Sequence, residues 1–135
     1  MLLLDTCAVI WIAHGDPIRR PASGALTEPS RPDLAIFVSP MTAWEIAMLA
    51  AKNRISLSLN PEIWFDRFCA LPGVTLARMP PSVLVASCSL PGSPPADPVD
   101  RILAATARAF GYTLVTRDRR LLDYGAEGHV RAMEC

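Results

Sequence analysis

The chain has 135 residues, the usual size of one compact domain, so we expect a single domain over residues 1–135. Hydrophobic residues make up 51% of the sequence, which is enough to bury a sizeable core. Thirteen basic and thirteen acidic residues give a net charge of zero, which argues against a strongly basic scaffold that coats nucleic acid without selectivity.

Strand and helix patterns alternate along the first half of the chain. The three leucines at 2–4 predict a buried parallel strand that ends at Asp5, and a helix is expected over residues 8–14. We expect a short helix near residues 22–26 and a second strand over 34–38. Ser39 and Pro40 are a typical helix start and predict a helix over 40–52. One face of that helix carries Trp44, Ala47, Met48 and Ala51.

The second half continues the alternation. Helices are predicted over 61–71 and 81–90, with a strand over 74–79 between them. A proline-rich loop at 91–96 precedes a helix from Asp97-Pro98 to Phe110, which Gly111 ends. A strand over 112–116, a short helix over 119–122 and an edge strand over 130–133 complete the chain.

Alternating strands and helices predict an α/β fold, a three-layer α/β/α sandwich with a central, mainly parallel sheet. In such sheets, ligands bind outside the carboxyl ends of the strands. Asp5 and Asp118 both follow a predicted strand directly. The sequence therefore places two carboxylates at one edge of the sheet.

Each candidate acid also has a purely structural interpretation. Asp5, Asp97, Asp100 and Asp118 could cap helices, and Glu45 could face solvent on an amphipathic helix. Together, however, several carboxylates at one edge would raise each other's pKa unless a cation neutralised them. Oxygen ligands without His or Cys suit a hard cation such as Mg²⁺ or Mn²⁺.

Four segments carry a family resemblance, at residues 2–11 (LLLDTCAVIW), 39–47 (SPMTAWEIA), 97–107 (DPVDRILAATA) and 112–118 (YTLVTRD). In this order and spacing they resemble the PIN-domain family, and closely the VapC-type toxin ribonucleases of VapBC toxin–antitoxin pairs. The resemblance spans nearly the whole chain. It implies that the catalytic and metal-binding residues are Asp5, Glu45, Asp100 and Asp118.

The resemblance also implies supporting residues. Thr116 matches a hydroxyl that orders the acidic pocket, and Asp97 matches a further acid. Thr6, which can cap the helix after the first strand, is a third supporting residue. The chain departs from the subgroup at Pro95, where a His is common, and near Leu49, where a Lys is common. These departures concern RNA contacts and leave the four acids in place.

The function implied by the resemblance is that of a metal-dependent endoribonuclease, the toxin of a type II pair, which cleaves RNA with a metal-activated water and Mg²⁺ or Mn²⁺. It further implies a homodimer and a cognate VapB-type antitoxin. Trp11 and Trp44 would lie in such interfaces or in the core. Four arginines beside the acids would contact RNA phosphates or remain solvated helix-end charges: Arg101, Arg117, Arg119 and Arg120.

Other functions remain open. A PIN-type nuclease could act in RNA maturation or on structured DNA, and a binding module could use the acids only as caps. A haloacid-dehalogenase-like phosphatase is disfavoured, because that chemistry wants a second Asp two residues after the first, where this chain has Cys7.

The cysteines and the N-terminus indicate the cellular compartment. No two cysteines form a Cys-x-x-Cys pair, so neither structural zinc nor a disulfide framework is expected. Cys7, Cys69 and Cys88 are interpreted as small apolar side chains. The apolar N-terminus lacks an early positive charge and is interrupted by Asp5, which predicts a cytoplasmic protein without a signal peptide or a membrane partner.

Overall fold

The computed structural model describes residues 1–14 and 35–135. Its strands are β1 (Leu2–Leu4), β2 (Ile36–Val38), β3 (Val74–Leu76), β4 (Thr113–Thr116) and β5 (Arg131–Glu134). Its helices are α1 (Thr6–His14), α2 (Pro40–Ala51), α3 (Pro61–Cys69), α4 (Pro81–Ser87), α5 (Pro98–Phe110) and α6 (Arg119–Ala126). The helix expected near residues 22–26 lies outside the described residues.

The five strands form one sheet in the order β3-β2-β1-β4-β5, and every pairing in it is parallel. In the centre, Leu3 of β1 lies opposite Phe37 on one side and Leu114 on the other. All three leucines of β1 are buried, as a central strand covered on both faces requires. The predicted α/β sandwich is confirmed, with a sheet that is parallel throughout.

Two hydrophobic clusters cover the two faces of the sheet. Leu2 and Leu4 pack in one cluster with residues of α1, α2 and α3, whereas Leu3 packs in the other with residues of α5 and α6. Successive side chains of a strand point to opposite faces, which explains the division. The helices therefore form the two outer layers, and the strand ends remain open at the edges of the sheet.

Helix α6 is longer than the sequence predicted, since it extends to Ala126 instead of ending near residue 122. Leu121 and Tyr124 are both buried, and the Tyr124 hydroxyl donates to the carbonyl of Pro91 at 2.7 Å. These tertiary contacts outweigh the low helix propensity of Gly125. Helices α3 and α4 and strand β3 instead end two or three residues early.

The apolar face expected for α2 is mostly its exposed face. Trp44 is 53% exposed and Ala47 is exposed, while the buried residues of α2 are Thr42 and Ile46. A broad apolar surface on this helix is therefore left to solvent. In the part of the chain that the structure describes, the helices are too short or too polar to cross a bilayer.

Candidate active site

Asp5 follows β1 directly and is only 5% exposed. Its backbone amide continues the sheet by donating to the carbonyl of Val115 at 3.1 Å. Its Oδ1 accepts from the amide of Ala8 at 2.7 Å, so Asp5 also caps the first turn of α1. The capping interpretation is thus correct, but it accounts for one carboxylate oxygen only.

The second oxygen of Asp5 is held from the neighbouring strand. The Thr116 hydroxyl donates to Oδ2 of Asp5 and accepts from the amide of Asp118 at 2.9 Å. Asp118 in turn caps α6, because its Oδ1 accepts from the amides of Arg120 and Leu121 at 2.8 and 3.2 Å. Thr116 therefore links the two strand-end acids, as expected of a hydroxyl that orders the pocket.

Glu45 approaches the same edge from α2. The Thr6 hydroxyl donates to its Oε1, and the hydroxyl oxygens of Thr6 and Thr42 lie 3.4 Å apart. Glu45 therefore faces inward, against the alternative of a solvent-facing glutamate. Sequence reasoning missed Thr42, which is fully buried. Its position three residues before Glu45, on the same face of a helix, was the available signal.

Helix α5 contributes its first turn. Asp97 is the N-cap, and its Oδ1 accepts from the amides of Val99 and Asp100 at 2.9 and 3.1 Å. Asp100 is half-buried one turn inside the helix. Burial raises the pKa of Asp100 to about 7, and the charges of Asp97, Asp118, Glu45 and Asp5 add to this rise. All four of these acids are therefore close enough to Asp100 to raise its pKa.

Burial and neighbouring acids also raise the pKa values of Asp5 and Glu45. Burial raises the pKa of Asp5 to about 6, with further contributions from Asp118 and Glu45, although the bonds from Thr116 and Ala8 oppose the rise. Burial also raises the pKa of Glu45, the charge of Asp97 adds to it, and the bond from Thr6 opposes it. The structure thus brings Asp5, Glu45, Asp100 and Asp118 into one electrostatically coupled group.

The four cysteines differ in exposure. Cys7 and Cys88 are exposed and Cys69 is partly buried, whereas Cys135 is buried. Cys7 is thus an exposed thiol and not a core residue. Its pKa is raised to about 11, first by desolvation and then by Asp5 and the other three acids. Cys7 therefore lies beside the acidic group as a neutral thiol, on the first turn of α1.

The donor set of this group consists of carboxylate and hydroxyl oxygens, which suits a hard divalent cation. Carboxylates with raised pKa values also indicate uncompensated negative charge, which a cation would neutralise. As placed within residues 1–14 and 35–135, no three His, Cys, Asp or Glu side chains are arranged to hold a metal ion. Different hydroxyl groups bind two of the acids: Thr116 donates to Asp5, and Thr6 donates to Glu45. The chemistry of these acids fits a cation, because a carboxylate oxygen that accepts one hydrogen bond keeps a second lone pair for a metal ion.

The four arginines have different surroundings. Arg101 donates through Nε to the carbonyl of Ser87 at 2.8 Å and through Nη1 to that of Pro95 at 3.2 Å. Its guanidinium thus joins α4 and the proline-rich loop to α5. Arg119 forms an ion pair with Asp123 at 3.1 Å on the surface of α6.

Arg117 stacks over the ring of Trp11, with 3.8 Å between its Cζ and the ring centroid. Its Nε donates to the carbonyl of Cys135 at 2.9 Å. Trp11 is partly buried against the core, in agreement with the packing alternative. Arg120 is exposed on the first turn of α6.

The fold and the acidic edge agree with the family comparison. Residues 2–127 match the sequence model of the PIN domain, and the chain belongs to the PIN-domain family. Within that family it is similar to Ribonuclease VapC22 of Mycobacterium tuberculosis (strain ATCC 25618 / H37Rv). The two are 34% identical over 121 residues, which cover 89% of this chain and 88% of the relative.

Solved structures support the same fold. The crystal structure of VapBC2 from Rickettsia felis bound to a DNA fragment from their promoter contains a chain that superposes with a TM-score of 0.67 at 14% identity, covering 98% of this chain and 97% of that one. DNA-bound VapBC from Salmonella typhimurium gives 0.60 at 22% identity, with 98% and 96% covered. FitAcB from Neisseria gonorrhoeae gives 0.58 at 19%, with 98% and 96% covered.

Proposed function

We propose that this protein is a metal-dependent endoribonuclease that acts as the toxin of a type II toxin–antitoxin pair. The observation that carries the proposal is the coupled group of four acids at the carboxyl edge of the sheet. The 34% identity with a ribonuclease over most of both chains supports RNA as the substrate. A module that used these acids only as caps would not need Asp100 and Glu45, which cap no helix in the described residues.

The residues that would hold Mg²⁺ or Mn²⁺ are Asp5, Glu45, Asp100 and Asp118. When bound, such a cation lowers the pKa of a coordinated water and neutralises charge on the phosphodiester. The protein positions the carboxylates for this task. Thr116 fixes the orientation of Asp5, and Thr6 fixes that of Glu45. Thr6, Thr116 and Asp97 are therefore proposed as positioning residues.

RNA would approach along the exposed start of α6. Arg117, Arg119 and Arg120 are exposed and flank Asp118 in the sequence, and we propose that they contact phosphates. Arg101 is the weakest of the four predicted RNA contacts, because two of its N–H groups already bind backbone carbonyls. Its contribution to RNA binding would be indirect, through the position of Asp100 on the same helix.

The proposed activity is tested with purified protein, total bacterial RNA and Mn²⁺. We expect fragments that chelation by EDTA abolishes and that Asp5→Asn reduces by at least a hundredfold. Asp66→Asn is the matched control, because Asp66 is exposed on α3, away from the acids. Equal cleavage by wild type and Asp5→Asn would show that the nuclease is a contaminant and would overturn the proposal.

The toxin role is tested separately in cells. Expression without an antitoxin should arrest growth, and Asp5→Ala should relieve the arrest, if the protein acts in the cytoplasm as proposed. RNA cleavage in vitro without growth arrest would instead favour a PIN-type nuclease in RNA maturation. Cleavage of structured DNA in preference to RNA would favour the other alternative.

We also propose that residues 1–135 form a single domain. This domain would form a homodimer and bind a VapB-type antitoxin. The similar solved structures are of VapBC2, VapBC and FitAcB, and the two VapBC structures are bound to DNA. The exposed apolar surface of α2, with Trp44 at its centre, supports the presence of a protein interface. Size-exclusion chromatography with light scattering should show a dimer, and co-expression with a VapB-type antitoxin should yield a stable complex.

A further inference from the structure

A cavity lies at the opposite edge of the sheet from the acids. It has a volume of about 330 Å³ and is formed by the end of α5, the turn into β4 and the loop into β5. Strands β4 and β5 begin at this edge, whereas Asp5 and Asp118 follow strand carboxyl ends. At about 3.3 Å per residue, a strand of four residues separates the two edges by roughly 10 Å. A ligand in this cavity would therefore be remote from the acids.

The cavity is basic. Arg108, from the last turn of α5, and Arg131, the first residue of β5, both line it. Its other lining residues are Ala107, Gly111, Tyr112, Gly128, His129 and Val130, none of which is acidic. Glu127 is the closest acid in the sequence, and its carboxylate accepts from the amide of Ser93. The cavity thus carries two guanidinium groups and no carboxylate in its lining.

Both guanidinium groups are fixed across this cavity by backbone carbonyls. Arg108 donates through Nη1 to the carbonyl of His129, and Arg131 donates through Nη2 to the carbonyl of Gly111 at 2.9 Å. Within the described residues, neither group forms an ion pair with a carboxylate. A guanidinium has five N–H donors, so each arginine retains donors after its carbonyl bond.

The position of Arg131 has a structural explanation, because its guanidinium donates to the carbonyl of Gly111 and so caps the carboxyl end of α5. The bond to the carbonyl of His129 likewise gives Arg108 a structural role, but no acid in the lining compensates the two charges. Two like charges in a shared cavity are stabilised by an anion, and planar guanidinium groups match the oxygens of phosphate. We propose that this cavity is a phosphate-binding site, formed chiefly by Arg108 and Arg131.

The phosphate could belong to a small free molecule or to the backbone of an RNA chain, and the proposal does not depend on nuclease activity. The first test is calorimetric titration with inorganic pyrophosphate in a phosphate-free buffer of low ionic strength. We expect saturable binding that weakens at least tenfold in the double variant Arg108→Gln/Arg131→Gln. The matched control, Arg54→Gln/Arg67→Gln, removes two exposed arginines elsewhere and should bind within twofold of wild type.

The second test uses wild-type protein only, so it does not depend on whether a variant folds. In ¹H–¹⁵N spectra, pyrophosphate should shift the amides of Gly111, Gly128 and Val130. A 2′-O-methyl oligonucleotide, which resists cleavage, is titrated in parallel. Shifts with pyrophosphate alone identify a free phosphate as the ligand, and shifts with both probes, or with the oligonucleotide alone, identify an RNA backbone. The proposal is overturned if neither probe shifts these amides, or if a folded double variant binds pyrophosphate like wild type.

Discussion

The hydroxyl of Thr116 lies 2.5 Å from Oδ2 of Asp5, although the two residues are 111 positions apart in the sequence. The pairing of β1 with β4 makes this contact possible, because Leu4 lies opposite Val115 and the next residues meet at the strand ends. Since the same hydroxyl accepts from the amide of Asp118, one side chain sets the relative position of two acids.

Thr116→Val should therefore impair the site with little change in shape. Valine leaves Oδ2 of the buried Asp5 without its donor, so we expect a stability loss of about 1–3 kcal/mol in urea unfolding. Cleavage of RNA should fall about 10- to 100-fold, as for other residues that orient a metal ligand. Thr113→Val, in the same strand, is the control and should change cleavage less than twofold. Normal cleavage by Thr116→Val would show that this hydroxyl has no positioning role.

Asp100→Asn should raise the stability of the metal-free protein at alkaline pH. The pKa of folded Asp100 is raised to about 7 by burial and neighbouring acids, so its ionisation disfavours the folded state. Stability associated with its protonated form is present below the unfolded pKa and is lost as the pH rises through about 7. In EDTA, the variant should melt above wild type at pH 8, and the difference should shrink towards pH 4. A difference independent of pH would contradict this account.

Mn²⁺ should stabilise the wild-type protein in thermal melts. A ligand at a hundred times its Kd adds about 2.7 kcal/mol if it binds only the folded state. Because the carboxylates must be deprotonated to bind, the increase in Tm should be larger at pH 8 than at pH 5. Asp5→Asn should lose most of the increase, whereas Asp66→Asn should retain it. An equal increase in both variants would place Mn²⁺ elsewhere on the protein.

Arg101 should affect mainly the stability of the protein, whereas Arg120 should affect mainly the binding of RNA. Arg101→Ala removes the donors to the carbonyls of Ser87 and Pro95, which should cost about 1–3 kcal/mol of stability. Arg120→Ala removes an exposed side chain and should change stability by less than about 0.5 kcal/mol. Filter binding of a 2′-O-methyl oligonucleotide should weaken severalfold with Arg120→Ala. If both variants lose stability equally, the distinction between them is wrong.

The sequence predicted the elements that depend on local patterns. The leucines of β1, the Ser39-Pro40 start of α2 and the Asp97-Pro98 start of α5 are all found where the sequence placed them. Such features depend on short-range rules of burial and helix capping. The strand-end positions of Asp5 and Asp118 were predictable for the same reason.

Features that depend on packing between distant segments were not predictable. The exposure of Cys7, the burial of Thr42 and the carbonyl contacts of Arg101 each depend on a neighbour from another element. The exposed face of α2 is a further case, since an apolar stripe on a helix does not reveal whether the core or another protein covers it. The basic cavity was also missed, because no local pattern in the sequence links Arg108 to Arg131.

The order of strands in the sheet has a consequence for protein synthesis. Central β1 is made first, but its neighbour β4 ends only at Thr116. A ribosome that has completed the first hundred residues has therefore produced three of the four acids without the strand that brings the fourth to them. We expect nascent chains and products of premature termination before Asp118 to lack nuclease activity.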